Sequence, residues 1–287
     1  MGTVADIFDI TGSRALVTGS TRGIGYAFAG ALVRAGCVTV VHGRDPAATA
    51  EARDRLLADA HAGARVHTVS FDVTDADAVA AGVAAAQDAV GALDIVVNNA
   101  GVQHREPAAT VPVADWRRVV DTNLTGAFLV SRAAAPSMMD RRRGKIVNVC
   151  SLMSELARPG ITPYAAAKGG LKMLTRSLAN DYGPQGVRAN CVCPGWVRTP
   201  MGDDGMQEVA EKWGCSLEDA YWLCARDTPL RRPAEPGEVA EVIVFLAGPK
   251  ASYISAATVV VDGGGMAVDG SSTPFHGPQQ RLRELLA

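Results

Sequence analysis

Short β-branched runs separated by alanine-rich helical stretches set the pattern of this chain. The runs are Ala15 to Thr18, Val38 to Val41, Val66 to Ser70, Ile95 to Val97, Lys145 to Val149, Val187 to Val192 and Thr258 to Val261. Seven strands alternating with helices imply right-handed crossovers and a parallel sheet covered on both faces. The expected fold class is α/β, a Rossmann-type doubly wound sheet spanning 1–287 as a single catalytic domain. Such sheets bind ligands beyond the carboxyl ends of their strands, so the residues that follow each strand are the places to look for chemistry.

The first strand empties into Gly19-Ser20-Thr21-Arg22-Gly23-Ile24-Gly25, and a helix follows through Arg34. Glycines let backbone N–H groups approach a pyrophosphate, and a helix N-terminus favours the negative charge. The spacing is GxxxGxG rather than GxGxxG. At the first strand-to-helix junction of an alternating chain it favours a nucleotide.

The second strand ends Val41-His42-Gly43-Arg44, with no acid until Asp45. An acid at that point binds a ribose 2′-OH, whereas an arginine accommodates a 2′-phosphate. Arg44 together with Arg22 therefore favours NADP(H) over NAD(H), with Asp45 as the cap of the next helix at Pro46. After the third strand, Asp72-Val73 reads either as an adenine contact or as a turn. The fourth strand runs into Asn98-Asn99-Ala100-Gly101, small and amide residues suited to close packing against a cofactor.

Val102 to Pro107 is polar and partly cationic at the mouth of the expected cleft. Asp115 to Met139 reads as one long helix with Asn123 inside it, an unfavourable position for Asn unless it is exposed or kept for a side-chain contact. The fifth strand delivers Cys150-Ser151. Thr162-Pro163 reads as an N-cap followed by a first-turn proline. That places Tyr164 and Lys168, four apart, on one helical face in the first two turns. Strand six breaks at Pro194-Gly195-Trp196-Val197-Arg198-Thr199-Pro200. From Met201 to Asp227 the pattern turns polar and irregularly helical around Trp213, Tyr221 and Trp222, and 203–227 is placed to act as a lid.

Composition narrows the choice of function. A net charge of −2 over 287 residues argues against a nucleic-acid surface, and the run Arg141-Arg142-Arg143 reads as a solvated turn. No apolar run reaches about 18 residues, so no membrane association is expected. The acidic N-terminus lacks a signal-peptide core. Six scattered cysteines without CxxC or zinc-spaced histidines read as reduced thiols of a cytoplasmic protein with no metal; a redox or metal role for Cys191 and Cys193, which would share one face of a strand, is the alternative reading.

Taken together, Thr18-Gly19-xxx-Gly23-x-Gly25, Asn98-Asn99-Ala100-Gly101, Asn123, Ser151, Tyr164-xxx-Lys168 and Pro194-Gly195 resemble the short-chain dehydrogenase/reductase family over about residues 8–266. Asn99 to Arg105, Ser154 to Gly160 and Gly43-Arg44-Asp45 are similar to its gluconate 5-dehydrogenase group. The resemblance implies hydride transfer between a nicotinamide and a carbinol carbon, with Tyr164 moving the hydroxyl proton and Lys168 favouring its phenolate. Lys168 would also hold the nicotinamide ribose. Ser151 would bind the substrate oxygen, and Asn123 would hold a relay water. Cofactor contacts would come from Gly19, Thr21, Arg22, Gly23, Ile24, Arg44, Asp72, Val73, Asn99, Ala100, Gly101, Tyr164, Lys168, Pro194, Gly195, Val197 and Thr199.

For a small-molecule substrate bearing a carboxylate, His104, Arg105 and Arg158 are the candidates, with Trp196 and Ser151 beside them; pairing with Glu155 is the other reading of Arg158. The resemblance further implies a homotetramer. The stretch from Asp203 to Asp227 departs from the gluconate-like pattern, and 267–287 extends past the usual end of the family. Reduction of a 3-oxoacyl thioester, a cyclitol or another secondary-metabolite ketone is the enzymatic alternative. A dinucleotide-binding regulatory protein without catalysis is the non-enzymatic one.

Overall fold

The computed structural model describes residues 9–269. Its core is a seven-stranded, all-parallel sheet of order β3-β2-β1-β4-β5-β6-β7. The strands are β1 Arg14–Val17, β2 Val38–Gly43, β3 Val66–Ser70, β4 Ile95–Asn98, β5 Gly144–Val149, β6 Val187–Pro194 and β7 Thr258–Val261. All seven fall where the β-branched runs placed them. The strand order reverses between β1 and β4, with Val17 paired to both Val41 and Val97. The switch point of the sheet is therefore at the glycine turn and Asn98-Asn99.

Alternate strand residues serve opposite faces. Val17, Val41, Val97 and Val147 pack under α1 (Gly23–Arg34), α2 (Pro46–Ala58) and α9 (Pro236–Ala247), through Phe28, Leu32, Leu56 and Ile243. Leu16, Val40, Val96 and Ile146 pack under α3 (Ala76–Val90), α5 (Gly126–Asp140) and α6 (Thr162–Tyr182), through Val79, Val83, Val130, Met138 and Leu178. The two-residue period of a strand is what divides them.

The expected helix from Asp115 to Met139 is instead α4 (Val113–Val120), a π turn over Asp121–Thr125, and α5. Asn123 lies in the middle of that π turn. Its Nδ2 donates to the Val119 carbonyl four residues back and to Val102 O, each at 2.8 Å, competing with the main chain for the helical acceptor. Thr162 is likewise not a cap. It is the first helical residue, Ile161 precedes it without a capping side chain, and Pro163 lies in the first turn as expected. What fixes this start is the pairing of Ile161 with Glu106, whose N–H donates to Gly160 O.

Arg141, Arg142 and Arg143 form an exposed turn, as expected. The turn is also anchored: Arg141 Nη1 lies 2.8 Å from the buried Asp94 carboxylate and Arg143 Nε 3.5 Å from it, while Arg142 donates to Pro184 O. Its acidic partner lies 47 residues upstream, too far in the chain for a spacing to show. The stretch after β6 is more regular than the sequence suggested: α7 (Pro200–Trp213) is capped by Thr199 and α8 (Leu217–Ala225) by Ser216. They pack on each other through Met206, Ala210, Ala220 and Tyr221.

Among the described residues no helix is long and apolar enough to cross a membrane. The extension over 267–287 begins at the end of a 3-10 turn, Gly265–Ala267; its part from 270 onward, including Arg281 to Leu286, lies outside the described residues.

Candidate active site

Backbone amides crowd the end of β1. Thr18 Oγ1 accepts the N–H groups of Asn99 and Ala100 at 3.0 and 3.1 Å, and Asn99 Nδ2 donates back to Thr18 O and Gly19 O. Gly19 and Gly23 both have positive φ, at 63° and 59°, which a side chain would strain. α1 begins at Gly23 with Arg22 before it and no capping side chain, in contrast to α2, α3, α7 and α8. The first-turn N–H groups of Gly23, Ile24 and Gly25 thus lack a side-chain acceptor, and a Cβ placed on Gly23 would meet nothing nearer than Pro200, at 3.8 Å. An uncapped, glycine-lined helix start facing Thr199-Pro200 fits a dinucleotide pyrophosphate.

His42, in β2, supports this loop from the neighbouring strand. Its Nδ1 accepts Gly19 N–H at 3.1 Å, so Nε2 carries the proton and donates to Phe71 O at 3.1 Å. Burial holds its pKa down, to about 4 from 6.5. The signal was available only in space, since the two partners lie 23 and 29 residues away on either side. Because the folded value is depressed, the unfolded chain binds the extra proton first as pH falls. The stabilisation from neutral His42 is complete above pH 6.5 and disappears toward pH 4, a loss of roughly 3 kcal/mol. Urea unfolding at pH 7.5 and 5 should show about 2 kcal/mol of this loss, and the loss should shrink in His42→Gln, whose amide keeps an acceptor for Gly19.

The remaining expected cofactor residues occupy the same side of the sheet. Arg22 and Arg44 are exposed, and Asp45 caps α2 by accepting Ala47 N–H. Asp72 forms a turn with Thr74, whose N–H and hydroxyl it accepts at 2.9 and 2.8 Å; these bonds hold its carboxyl below the usual range. Val73 packs against Gly126. Thr21 O accepts from Arg55, and Ile24 leans on the core. At the end of β6, Gly195 abuts Asp262 so closely that a Cβ would lie 2.9 Å from its Cα. Val197 pairs with Ala234, and Thr199 Oγ1 accepts Gly202 N–H.

Tyr164 and Lys168 are both buried in the first turns of α6. Lys168 Nζ lies 5.6 Å from the Tyr164 ring centroid and donates to Val149 O at 2.6 Å. Ser151, two residues on from that carbonyl, starts a 3-10 turn and accepts Met153 N–H. Asn123 is fully buried, and its Oδ1 also accepts Val102 N–H at 3.3 Å. Its side chain therefore braces the loop after β4, and a relay water has only the remaining lone pair of Oδ1 to use on that side chain. Gly101 is required here because its Cβ would stand 2.4 Å from Asn123 Oδ1.

Behind these groups runs a buried polar chain that had no sequence signal. Asn98 Nδ2 donates to Ser131 Oγ and Asn148 Oδ1 at 2.9 and 2.8 Å, and Asn148 Nδ2 donates to Thr175 Oγ1 at 2.8 Å. It ties β4 and β5 to α5 and α6, setting the helix that holds Tyr164 against the strand that delivers Ser151.

The expected substrate residues divide. His104 lies between two acids, with Nε2 3.1 Å from Glu106 and Nδ1 3.6 Å from Asp115. Arg105 lies against Gly205 of α7 and pairs with Glu208 at 2.9 Å. Arg158 does not pair with Glu155, which is taken by Lys172. Instead its guanidinium stacks 4.8 Å from the Trp196 ring centroid. Burial lowers the Arg158 pKa, and the charge of Arg105 lowers it further, so the two guanidiniums share one corner with Tyr164 in electrostatic reach.

A family profile described as enoyl-(acyl carrier protein) reductase matches residues 19–265. The chain is a short-chain dehydrogenase/reductase. As a member of that family it is an oxidoreductase acting on CH–OH groups. It is 41% identical over 259 residues to gluconate 5-dehydrogenase of Gluconobacter oxydans, covering 90% of this chain and 96% of that one. To the 5-keto-D-gluconate 5-reductase of Escherichia coli it is 34% identical, covering 90% and 97%. A crystal structure of gluconate 5-dehydrogenase from Burkholderia cenocepacia in complex with NADP and tartrate superposes with a TM-score of 0.85 at 36% identity, covering 93% and 100%. In this short-chain dehydrogenase/reductase the glycine turn follows β1, Asn98 ends β4 and Lys168 bonds to the end of β5, three neighbouring strands of the sheet.

Proposed function

We propose that this enzyme is a cytoplasmic, NADP(H)-dependent oxidoreductase that interconverts a secondary alcohol and a ketone on a carboxylate-bearing polyol of the D-gluconate and 5-keto-D-gluconate type. The observation that carries the substrate class is the corner formed by Arg158, Arg105 and Trp196 within electrostatic reach of Tyr164. A half-buried guanidinium stacked on an indole offers a carboxylate a planar, paired-donor surface. The likeness to enzymes of gluconate and ketogluconate, and to a structure holding NADP and a dicarboxylic hydroxy acid, agrees with that reading.

The residues divide the work as follows. The dinucleotide supplies or accepts the hydride. Tyr164 gives its proton to the carbonyl oxygen in reduction and takes it back in oxidation. Ser151 donates a second hydrogen bond to that oxygen, and Lys168 favours the phenolate while holding the ribose hydroxyls. Preference for the 2′-phosphate is supported by the use of Asp45 as a helix cap and by the exposure of Arg22 and Arg44 beside the loop. Assembly as a homotetramer is supported by exposed Phe128 on α5, Met173 on α6 and Val260 on the edge strand β7.

In this reading α7 and α8 form the lid, and Glu208 already holds Arg105, so an acidic substrate exchanges one carboxylate for another. Arg105→Ala is expected to raise KM for 5-keto-D-gluconate by about 10–100-fold, the worth of a charge-assisted hydrogen bond, and KM for a neutral ketone by less than about threefold. Glu208→Gln should lower KM for the acid. The deciding experiment is a panel of 5-keto-D-gluconate, neutral polyols, cyclitols and 3-oxoacyl thioesters with NADPH and NADH. Turnover confined to the neutral or thioester compounds would overturn the sugar-acid reading. The run Arg141 to Arg143 stays exposed, so the substrate panel and not the docking surface decides the thioester alternative.

A further inference from the structure

Three thiols meet where β5 and β6 end. Val149 is paired with Val192, so Cys150, one residue on, lies beside Cys191 and Cys193, which flank Val192 at alternate positions on one side of the sheet. Their three Sγ atoms all lie within 4.8 Å of one another, and all three residues are buried. The packing around them is apolar, from Ala127, Leu171, Leu124 and Leu174. Two hydroxyls reach the edge of the trio: Ser154 Oγ lies 3.3 Å from Cys193 Sγ, and Thr258 Oγ1 lies 3.4 Å from Cys191 Sγ. Cysteine in a core often acts only as a small hydrophobe. Packing alone gives no reason for three polarisable sulfurs to face one another.

We propose that Cys150, Cys191 and Cys193 form a three-thiolate site for one thiophilic divalent cation with a filled d shell, Zn(II) or its heavier congener Cd(II), and that filling it switches off the adjacent catalytic centre. Geometry permits it. A Zn–S bond of about 2.3 Å in tetrahedral geometry sets sulfurs about 3.8 Å apart, so each pair closes by no more than about 1 Å through side-chain rotation. The hydroxyl of Ser154 or Thr258 stands ready as the fourth ligand. Charge permits it too. Three thiols and a dication yield an anionic complex of charge −1 and three protons, and the Lys168 ammonium, which acts electrostatically on Cys150, balances it.

The route and the consequence follow from position. The 3-10 turn Leu152–Ser154 directly follows Cys150 and Ser151, and Ser154, whose hydroxyl touches Cys193, is partly exposed on it. A ligated Cys150 pulls on both of its neighbours along the chain. On one side is Val149, whose carbonyl holds Lys168; on the other is Ser151. Occupancy therefore displaces two of the groups that the reduction uses.

The test uses the full chain with Cys37→Ala, Cys215→Ser and Cys224→Ser, which leaves only the trio. Cd(II) titration of the reduced protein should produce an ultraviolet sulfur-to-metal charge-transfer band that saturates at one cation per chain with release of three protons. Zn(II) should remove the band by competition. Ketone reduction should fall in step with the band and return when a chelator is added. Cys193→Ala, a small-for-small change, should weaken Cd(II) binding by more than about 100-fold and make turnover resistant to the metal. The proposal is overturned if the trio-only protein gives no band, or if the band survives in Cys193→Ala, or if the band forms without loss of turnover. The trio-only protein decides alone should Cys193→Ala not fold.

Discussion

Tyr164→Phe is expected to lower kcat for ketone reduction by about 10³-fold or more while leaving the Kd for NADPH within about threefold of the parent. Removing one hydroxyl takes away the proton that ends the reaction as an alcohol, and positioned acid–base groups contribute about 10²–10⁴ in rate. The ring stays, with its packing against Val119, Ile161 and Ala167, so the helix start and the Lys168 contact to Val149 O persist. Fluorescence titration with NADPH and steady-state kinetics on one preparation separate the two effects. A variant that retained a tenth of the parent turnover would assign the proton to another group.

The second large effect is expected at Gly25→Ala. By helix propensity alone this change would stabilise α1 by about 1 kcal/mol. The added Cβ, however, would stand 2.3 Å from Asn99 Nδ2 and 2.4 Å from Gly19 O. Both are held by the Asn99 bonds to Thr18 O and Gly19 O, so the methyl group must break that clasp or push α1 outward. Overpacking costs about 1–3 kcal/mol, which outweighs the propensity gain. The expected results are net destabilisation in urea and a loss of NADPH affinity of about 100-fold, since the uncapped first turn moves with the helix. An unchanged denaturation midpoint with full cofactor affinity would show that the loop yields more easily than its hydrogen bonds suggest.

The parts of this enzyme visible in its sequence are those in which chemistry repeats at a fixed spacing. β-Branched runs located all seven strands, because a strand covered on both faces has little other composition open to it. Tyr164 and Lys168 were legible because four residues of helix bring them together. What stayed hidden depends on partners distant in the chain. Asp94 takes up Arg141 and Arg143, Glu208 takes up Arg105, Trp196 receives Arg158, and His42 supports Gly19. None of these pairs has a spacing to recognise. The Asn98, Asn148 and Thr175 chain joins three elements, and each residue read alone looks like an ordinary polar position in or near a core.

The π turn at Asp121–Thr125 has a consequence for descent. An α-helix advances about 100° per residue, and a π turn carries one residue more than the α turn it replaces. A chain lacking one residue of that turn would close it as ordinary α-helix with α4 and α5 still in phase, because the extra residue is absorbed within the turn itself. Val119 would keep its place in the cluster around Tyr164, but the widened turn that carries Asn123 to Val102 would be gone. A single codon inserted in frame is therefore enough to add such a brace without re-registering the helix on either side.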